Sequence, residues 1–218
     1  MLAACLFDLD GVLVDTARHH FVAWKRLAEE KLNVTFTHAD NEALKGLSRA
    51  ESLDYILSKS TQQVTPGQKQ EWMAVKNAWY LEAVRSITPN DLLPGALDLL
   101  TALKAQGIAT ALGSASKNAP MIIELLQIGE YLDAVVDGNV VSLSKPNPAV
   151  FLKGAALLNV KPANTVVFED AQSGVQAAKS GGFYCVGIGV KQDLMEADQV
   201  VSDLSFITIE KLNNWLNK

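Results

Sequence analysis

Six short apolar runs, at residues 3–7, 108–112, 134–136, 165–168, 184–188 and 200–201, punctuate this chain. Between the later runs, residues 95–105, 119–126, 148–158 and 174–179 carry apolar side chains at three-to-four spacing, which predicts helices. The strand-like runs are apolar at nearly every position rather than at alternate ones, so both faces of each strand must be covered. Strands alternating with helices in this way predict right-handed βαβ units on a parallel sheet, an α/β fold.

One stretch departs from the rhythm. From residue 16 to about 90 no convincing strand is present, while 17–31, 50–57 and 67–84 read as helices. The organisation expected is therefore a catalytic core from 1–15 and 91–218, with a helical cap domain inserted at 16–90. Its exits fall near Thr16 and the Thr88-Pro89-Asn90-Asp91 stretch. Active sites of open α/β sheets lie at the carboxyl ends of the strands, so an insertion after the first strand is expected to act as a lid.

Composition narrows the function. The 218 residues are 49% apolar and 20% charged, as expected of a soluble globular protein. Net charge is −5 with no Lys/Arg cluster, which argues against nucleic acid as a partner. No apolar run reaches the roughly 18 residues a membrane span needs, and the start lacks the basic region of a signal peptide, so no membrane partner is expected. Cys5 and Cys185 lie in apolar, strand-like contexts and read as buried thiols of a cytoplasmic protein. His19, His20 and His38 lack zinc-like spacing. A monomer is expected.

Chemistry-bearing residues gather at the strand ends. Asp8 and Asp10 follow the first run, Ser114, Ala115, Ser116 and Lys117 the second, Lys145 the third, and Glu169 and Asp170 the fourth. In a parallel sheet these loops open on one edge. Carboxylates so assembled repel unless a cation neutralises them, and an all-oxygen set suits Mg²⁺ better than zinc or copper. Small residues and the Ser114 hydroxyl at a helix start suit phosphate oxygens, and Lys145 offers a compact cation to a transferring phosphoryl group. One aspartate could attack phosphorus while the other moves a proton. Asp15 reads instead as orienting the exit toward the cap.

The segments Phe7-Asp8-Leu9-Asp10-Gly11-Val12, Gly113-Ser114-Ala115-Ser116, Lys145-Pro146 and Glu169-Asp170 resemble, in order, the four motifs of the haloacid dehalogenase superfamily. The resemblance implies a Rossmann-like core with a helical cap inserted after the first motif. It implies an aspartyl-phosphate on Asp8, Asp10 as general acid/base, and Mg²⁺ held by Asp8, the Asp10 carbonyl and Asp170, with Glu169 also at the metal site. An aspartate two residues after the nucleophile is the mark of the phosphatase and phosphomutase branch.

Further segments, "HHFVAWKRLAEE", "LKGLSRAESLDYIL", Lys76 and "GSASKNAP", resemble the superfamily's sugar phosphomutases. These interconvert β-glucose 1-phosphate and glucose 6-phosphate through a 1,6-bisphosphate. The resemblance implies that His20 and Lys76 line the cap side of the site, with Thr16 in the hinge. Lys45, Gly46, Leu47, Ser48, Arg49 and Ser52 would belong to a substrate-specificity loop. Arg49, Ser116, Lys117 and Asn118 would grip the distal phosphate, and Ser114, Ala115 and Lys145 the transferring one. Trp24 is grouped with the substrate-facing residues, although Trp24 and Trp79 also read as packing aromatics. The four motifs alone leave a sugar or polyol phosphate phosphatase open as the alternative; the 45–52 loop and Lys117-Asn118 favour the mutase.

Overall fold

Ala4, Cys5, Leu6 and Phe7 form strand β1 (Ala4–Phe7), and all are fully buried. A computed structural model describes residues 1–217. Among them the remaining strands are β2 (Ala109–Gly113), β3 (Ala134–Val136), β4 (Thr165–Glu169), β5 (Tyr184–Ile188) and β6 (Gln199–Val201). They make one parallel sheet in the order β3-β2-β1-β4-β5-β6. The α/β class read from the uninterrupted apolar runs is the one observed.

The order matters for function. From β1 the chain builds outward through β2 and β3, then returns to the other side of β1 for β4, β5 and β6. The loops after β1 and β4 therefore diverge, and the crevice at such a switch point is where α/β sheets bind ligands. β1 and β4 are in register from Ala4↔Thr165 to Phe7↔Phe168, and the last pair stacks its rings at 4.8 Å. Asp8 N–H continues the ladder by donating to the Phe168 carbonyl at 3.0 Å. The two motif loops thus leave the sheet side by side.

The chain divides into two compact units, Met1–Asp15 with Ile87–Lys218, and Thr16–Ser86. The second crossing lies between Ser86 and Ile87, one residue before the Thr88–Asp91 stretch. That stretch is a short 3₁₀ turn capped by Asp91, whose carboxylate accepts from Thr88 N–H at 2.9 Å.

In the sheet unit the helices are α5 (Ala96–Ala105), α6 (Ala119–Leu126), α7 (Ala149–Leu157), α8 (Gln172–Ser180) and α9 (Ile209–Leu216). One core cluster joins Leu6, Ala111, Val136, Phe151, Val167, Val175 and Phe183. Each fully buried Leu or Phe contributes about 1.5–3 kcal/mol. Cys5 and Cys185 are buried free thiols on β1 and β5. α9 packs Trp215 on Tyr184 and accepts Leu2 N–H through Asn213 Oδ1 at 3.2 Å.

The second unit is all-helical: α1 (Ala17–Leu32), α2 (His38–Leu44), α3 (Arg49–Leu57) and α4 (Pro66–Val84). Trp24, Leu27, Ala28, Leu32, Phe36, Leu44, Leu53, Ile56 and Trp72 form its core. Reciprocal capping boxes start three of these helices, pairing Thr37 with Asp40, Ser48 with Glu51 and Thr65 with Gln68. No helix among the described residues is long and apolar enough to cross a membrane.

Candidate active site

Asp8 is the first residue past β1 and is buried. Glu169 ends β4, with Asp170 next in sequence. Carboxylate oxygens of Asp8, Glu169 and Asp170 lie within 4.8 Å of one another. Gly11 makes this possible from the β1 side. Its φ is +77°, and a Cβ there would fall 2.2 Å from Asp170 Oδ2, so only glycine lets the turn come so close. Asp10, in the same turn, is half-buried and bridges through its backbone to Val14.

Lys145 crosses to this cluster from the loop after β3. Its side chain is 1% exposed, and its ammonium donates to Asp8 Oδ1 at 2.5 Å and to Glu169 Oε1. The ammonium also lies 4.7 Å from the Phe151 ring centroid, a cation–π contact. Burial disfavours the Lys145 charge, but the Asp8 and Glu169 carboxylates outweigh it and hold the ammonium above its ordinary value. Glu169 is pushed up to about 8 by burial; Lys145 pulls it down, while Asp8 and Asp170 push it up again.

This electrostatic balance tests the site for a metal. Three carboxylates converge, the Lys145 ammonium bonds Asp8 and Glu169, and burial above all, with Asp8 and Asp170 beside it, makes Glu169 resist ionisation. Hard oxygen donors with excess negative charge fit a hard divalent cation.

The phosphate-type loop follows β2. Ser114 is buried, and its Oγ accepts Ser116 N–H at 3.1 Å; Ser116 Oγ accepts Asn118 N–H at 3.2 Å. Asn118 precedes the first turn of α6, and Lys117 is exposed. Ala115 is half-buried.

The helical unit carries its own polar cluster. Lys76, on α4, is 1% exposed, with its ammonium 2.6 Å from His20 Nδ1. The same ammonium lies over the rings of Trp24, at 4.5 Å, and Tyr80, at 5.1 Å. His20 stacks on Tyr80 at 4.0 Å, and the Tyr80 hydroxyl donates to Thr16 Oγ1 at 3.1 Å. Burial pulls His20 well below the ordinary imidazole value, and the charges of Lys76, Arg49 and His19 push the same way. Arg49 is the first residue of α3 and is half-buried.

The rest of the specificity segment lies beside it. Gly46 has φ +82°, Lys45 pairs with Glu42 at 2.9 Å, Leu47 packs on the helical core and Ser52 is buried. Trp24 is itself buried in that core, where its ring supports Lys76.

The structure thus brings Asp8, Lys145, Glu169 and Asp170 into direct contact range, and joins His20, Lys76 and Thr16 through Tyr80. Tyr80 and Phe151, which hold the two buried lysines, escape a reading by sequence. Tyr80 lies one helical turn beyond Lys76, and that spacing is the available signal.

Residues 2–182 match the family model of the haloacid dehalogenase-like hydrolases. The chain belongs to the haloacid dehalogenase-like hydrolases. Within this family it is 44% identical, over 97% of its length and 94% of the other's, to a β-phosphoglucomutase of Bacillus subtilis. A crystal structure of β-phosphoglucomutase from Clostridium difficile superposes with a TM-score of 0.94 at 37% identity, covering 100% of this chain and 98% of that one. A phosphorylated carbohydrates phosphatase of Thermotoga maritima is 30% identical over 83% of this chain and 82% of its own length.

Proposed function

We propose that this member of the haloacid dehalogenase-like family is a β-phosphoglucomutase, interconverting β-D-glucose 1-phosphate and D-glucose 6-phosphate through β-glucose 1,6-bisphosphate. The observation that carries the mutase reading is a second set of cationic side chains, in which Lys76 is buried with its ammonium 2.6 Å from His20 Nδ1 and half-buried Arg49 opens α3. A phosphoryl-transfer centre needs one anchored cation near its nucleophile, and Lys145 supplies it. A second set suits a substrate carrying phosphate at both ends. The likeness to the B. subtilis and C. difficile proteins supports the same reading.

In this account the Asp8 carboxylate attacks phosphorus, the bond from phosphorus to the sugar oxygen breaks, and Asp10 gives that oxygen a proton. In the reverse direction Asp10 takes the proton from a sugar hydroxyl as it attacks the Asp8 phosphoryl group. Beginning with phosphorylated Asp8, the 6-hydroxyl of β-glucose 1-phosphate takes the group, giving the bisphosphate. The bisphosphate turns end for end, Asp8 takes the 1-phosphate, and glucose 6-phosphate leaves.

Lys145, Ser114 and Ala115 hold the transferring phosphate. Arg49, Ser116, Lys117 and Asn118 hold the distal one, and His20, Lys76, Lys45, Gly46, Leu47, Ser52 and Trp24 shape the sugar side. Mg²⁺ would be held by Asp8, Asp170 and the Asp10 carbonyl with Glu169 beside them, and when bound it supplies charge neutralisation of the carboxylates and phosphate. A monomer in the cytoplasm completes the proposal.

The test is phosphorus NMR of β-glucose 1-phosphate with enzyme, Mg²⁺ and a trace of bisphosphate. Glucose 6-phosphate is the expected product. Inorganic phosphate as the main product would replace the mutase by a sugar phosphatase.

A further inference from the structure

We propose that the turn Asp137-Gly138-Asn139, after β3, positions the phosphate-gripping loop 114–118 by collecting its carbonyls on one side. The inference rests on the proposed role of Ser116, Lys117 and Asn118 in holding the distal phosphate.

Asp137 is buried, and its carboxylate builds the turn. Oδ1 accepts Asn139 N–H at 2.9 Å and Val140 N–H at 3.2 Å, while Oδ2 accepts Asn139 Nδ2 at 2.9 Å. The finished turn lies against the neighbouring loop at three consecutive peptides. A Cβ on Gly138 would sit 2.4 Å from the Ala115 carbonyl oxygen, so the two backbones touch. Gly138 N–H donates to the Ser116 carbonyl at 3.4 Å, and Asn139 Nδ2 donates to the Lys117 carbonyl at 3.2 Å.

A trans peptide is planar, with its N–H opposed to its C=O. Three successive carbonyls turned toward 137–139 therefore turn the N–H groups of Ser116, Lys117 and Asn118 the other way. Successive N–H groups on one side make an anion-binding concavity. The hydroxyls of Ser114 and Ser116 accept two of these N–H groups. Each hydroxyl keeps its own proton to donate onward to a phosphate oxygen. Asp137 and Asn139 touch no substrate in this scheme; they act through the loop.

Steady-state kinetics and thermal melts on four variants test the scheme. Asn139→Asp keeps the shape but sets a carboxylate against Asp137 and the Lys117 carbonyl. It should raise KM for β-glucose 1-phosphate by roughly five- to tenfold, the size of one lost hydrogen bond, with kcat within about twofold and a lowered melting point. The exchange Asp137→Asn with Asn139→Asp rebuilds the turn's internal bond but not the bond to Lys117. It should recover the melting point and leave KM high. Gly138→Ala, which presses on Ala115 without removing a polar group, should raise KM likewise. Lys117→Ala is the control for the underlying reading and should also raise KM. If Lys117→Ala raises KM while Asn139→Asp and Gly138→Ala leave it unchanged, the positioning role is overturned and the phosphate site stands. If the exchange restores KM together with the melting point, the turn is structural only and the proposal falls. An unchanged KM in Lys117→Ala overturns the reading of the loop itself and the proposal with it.

Discussion

The ammonium of Lys145 lies 2.5 Å from Asp8 Oδ1, across 137 residues of sequence, and donates to Glu169 as well. It is the charge that lets two buried carboxylates share one pocket at the end of β1 and β4. Removing one partner of such a buried group leaves uncompensated charge, at about 3–5 kcal/mol. Lys145→Met should lower folding stability by that order and turnover by at least about 10²-fold. Part of the stability should return with saturating Mg²⁺, which supplies charge to the same carboxylates. Denaturant melts with and without Mg²⁺ check this; an unchanged melt would show that the ammonium is not the cluster's counter-charge.

Under the proposed function, Arg49 is the residue expected to separate mutase from phosphatase. A bisphosphate that must bind in both orientations needs a distal clamp, and guanidinium meets phosphate in a fork that ammonium lacks. Arg49→Lys should cut mutase turnover sharply while hydrolysis of the phosphoenzyme changes far less, since water makes no use of the distal site. Measuring both rates on one preparation gives the ratio, which should fall further in Arg49→Ala. Parallel loss of the two activities would remove Arg49 from the distal role.

Asp40 ties the helical unit together. Its carboxylate accepts from Lys59, from Thr37 N–H and Oγ1 at 2.8 Å each, and from the Tyr55 hydroxyl at 3.1 Å. The Lys59 bond first, then the Thr37 bond, hold this acid well below the ordinary carboxylate range. A depressed folded pKa contributes stability that is present above the unfolded value of about 3.9 and lost as pH falls through the folded one. Asp40→Asn should therefore melt about 2–4 °C lower at pH 7, and the gap should narrow below about pH 4. A gap independent of pH would assign the effect to packing alone.

Much of this was legible because the strands are nearly all apolar throughout and a polar residue ends or follows β1, β2 and β4. Asp8, Ser114 and Glu169 mark the carboxyl ends of β1, β2 and β4 within a residue. α2 leaves no mark of periodicity because it spans only seven residues, His38–Leu44, and rests on the Thr37–Asp40 box. α9 carries the Thr208 cap, which accepts Lys211 N–H, but follows the last strand-like run, where strand-helix alternation sets no expectation. Tyr80 and Phe151 read as ordinary core aromatics. Their role shows only when Lys76 and Lys145 are seen folded over their rings. The Asp137 turn is similar, since its hold on Lys117 comes from pairing of β2 with β3.

In the proposed reaction, phosphate passes through the Asp8 carboxylate. Brief incubation with glucose 1,6-bisphosphate, acid quench and borohydride reduction converts an aspartyl phosphate to homoserine, which peptide mass spectrometry locates. Homoserine is expected at position 8 in the wild type and none in Asp8→Asn, which should also lose activity while keeping its fold. Glucose 6-phosphate formed with no modification at position 8, or with the label at another residue, would contradict it.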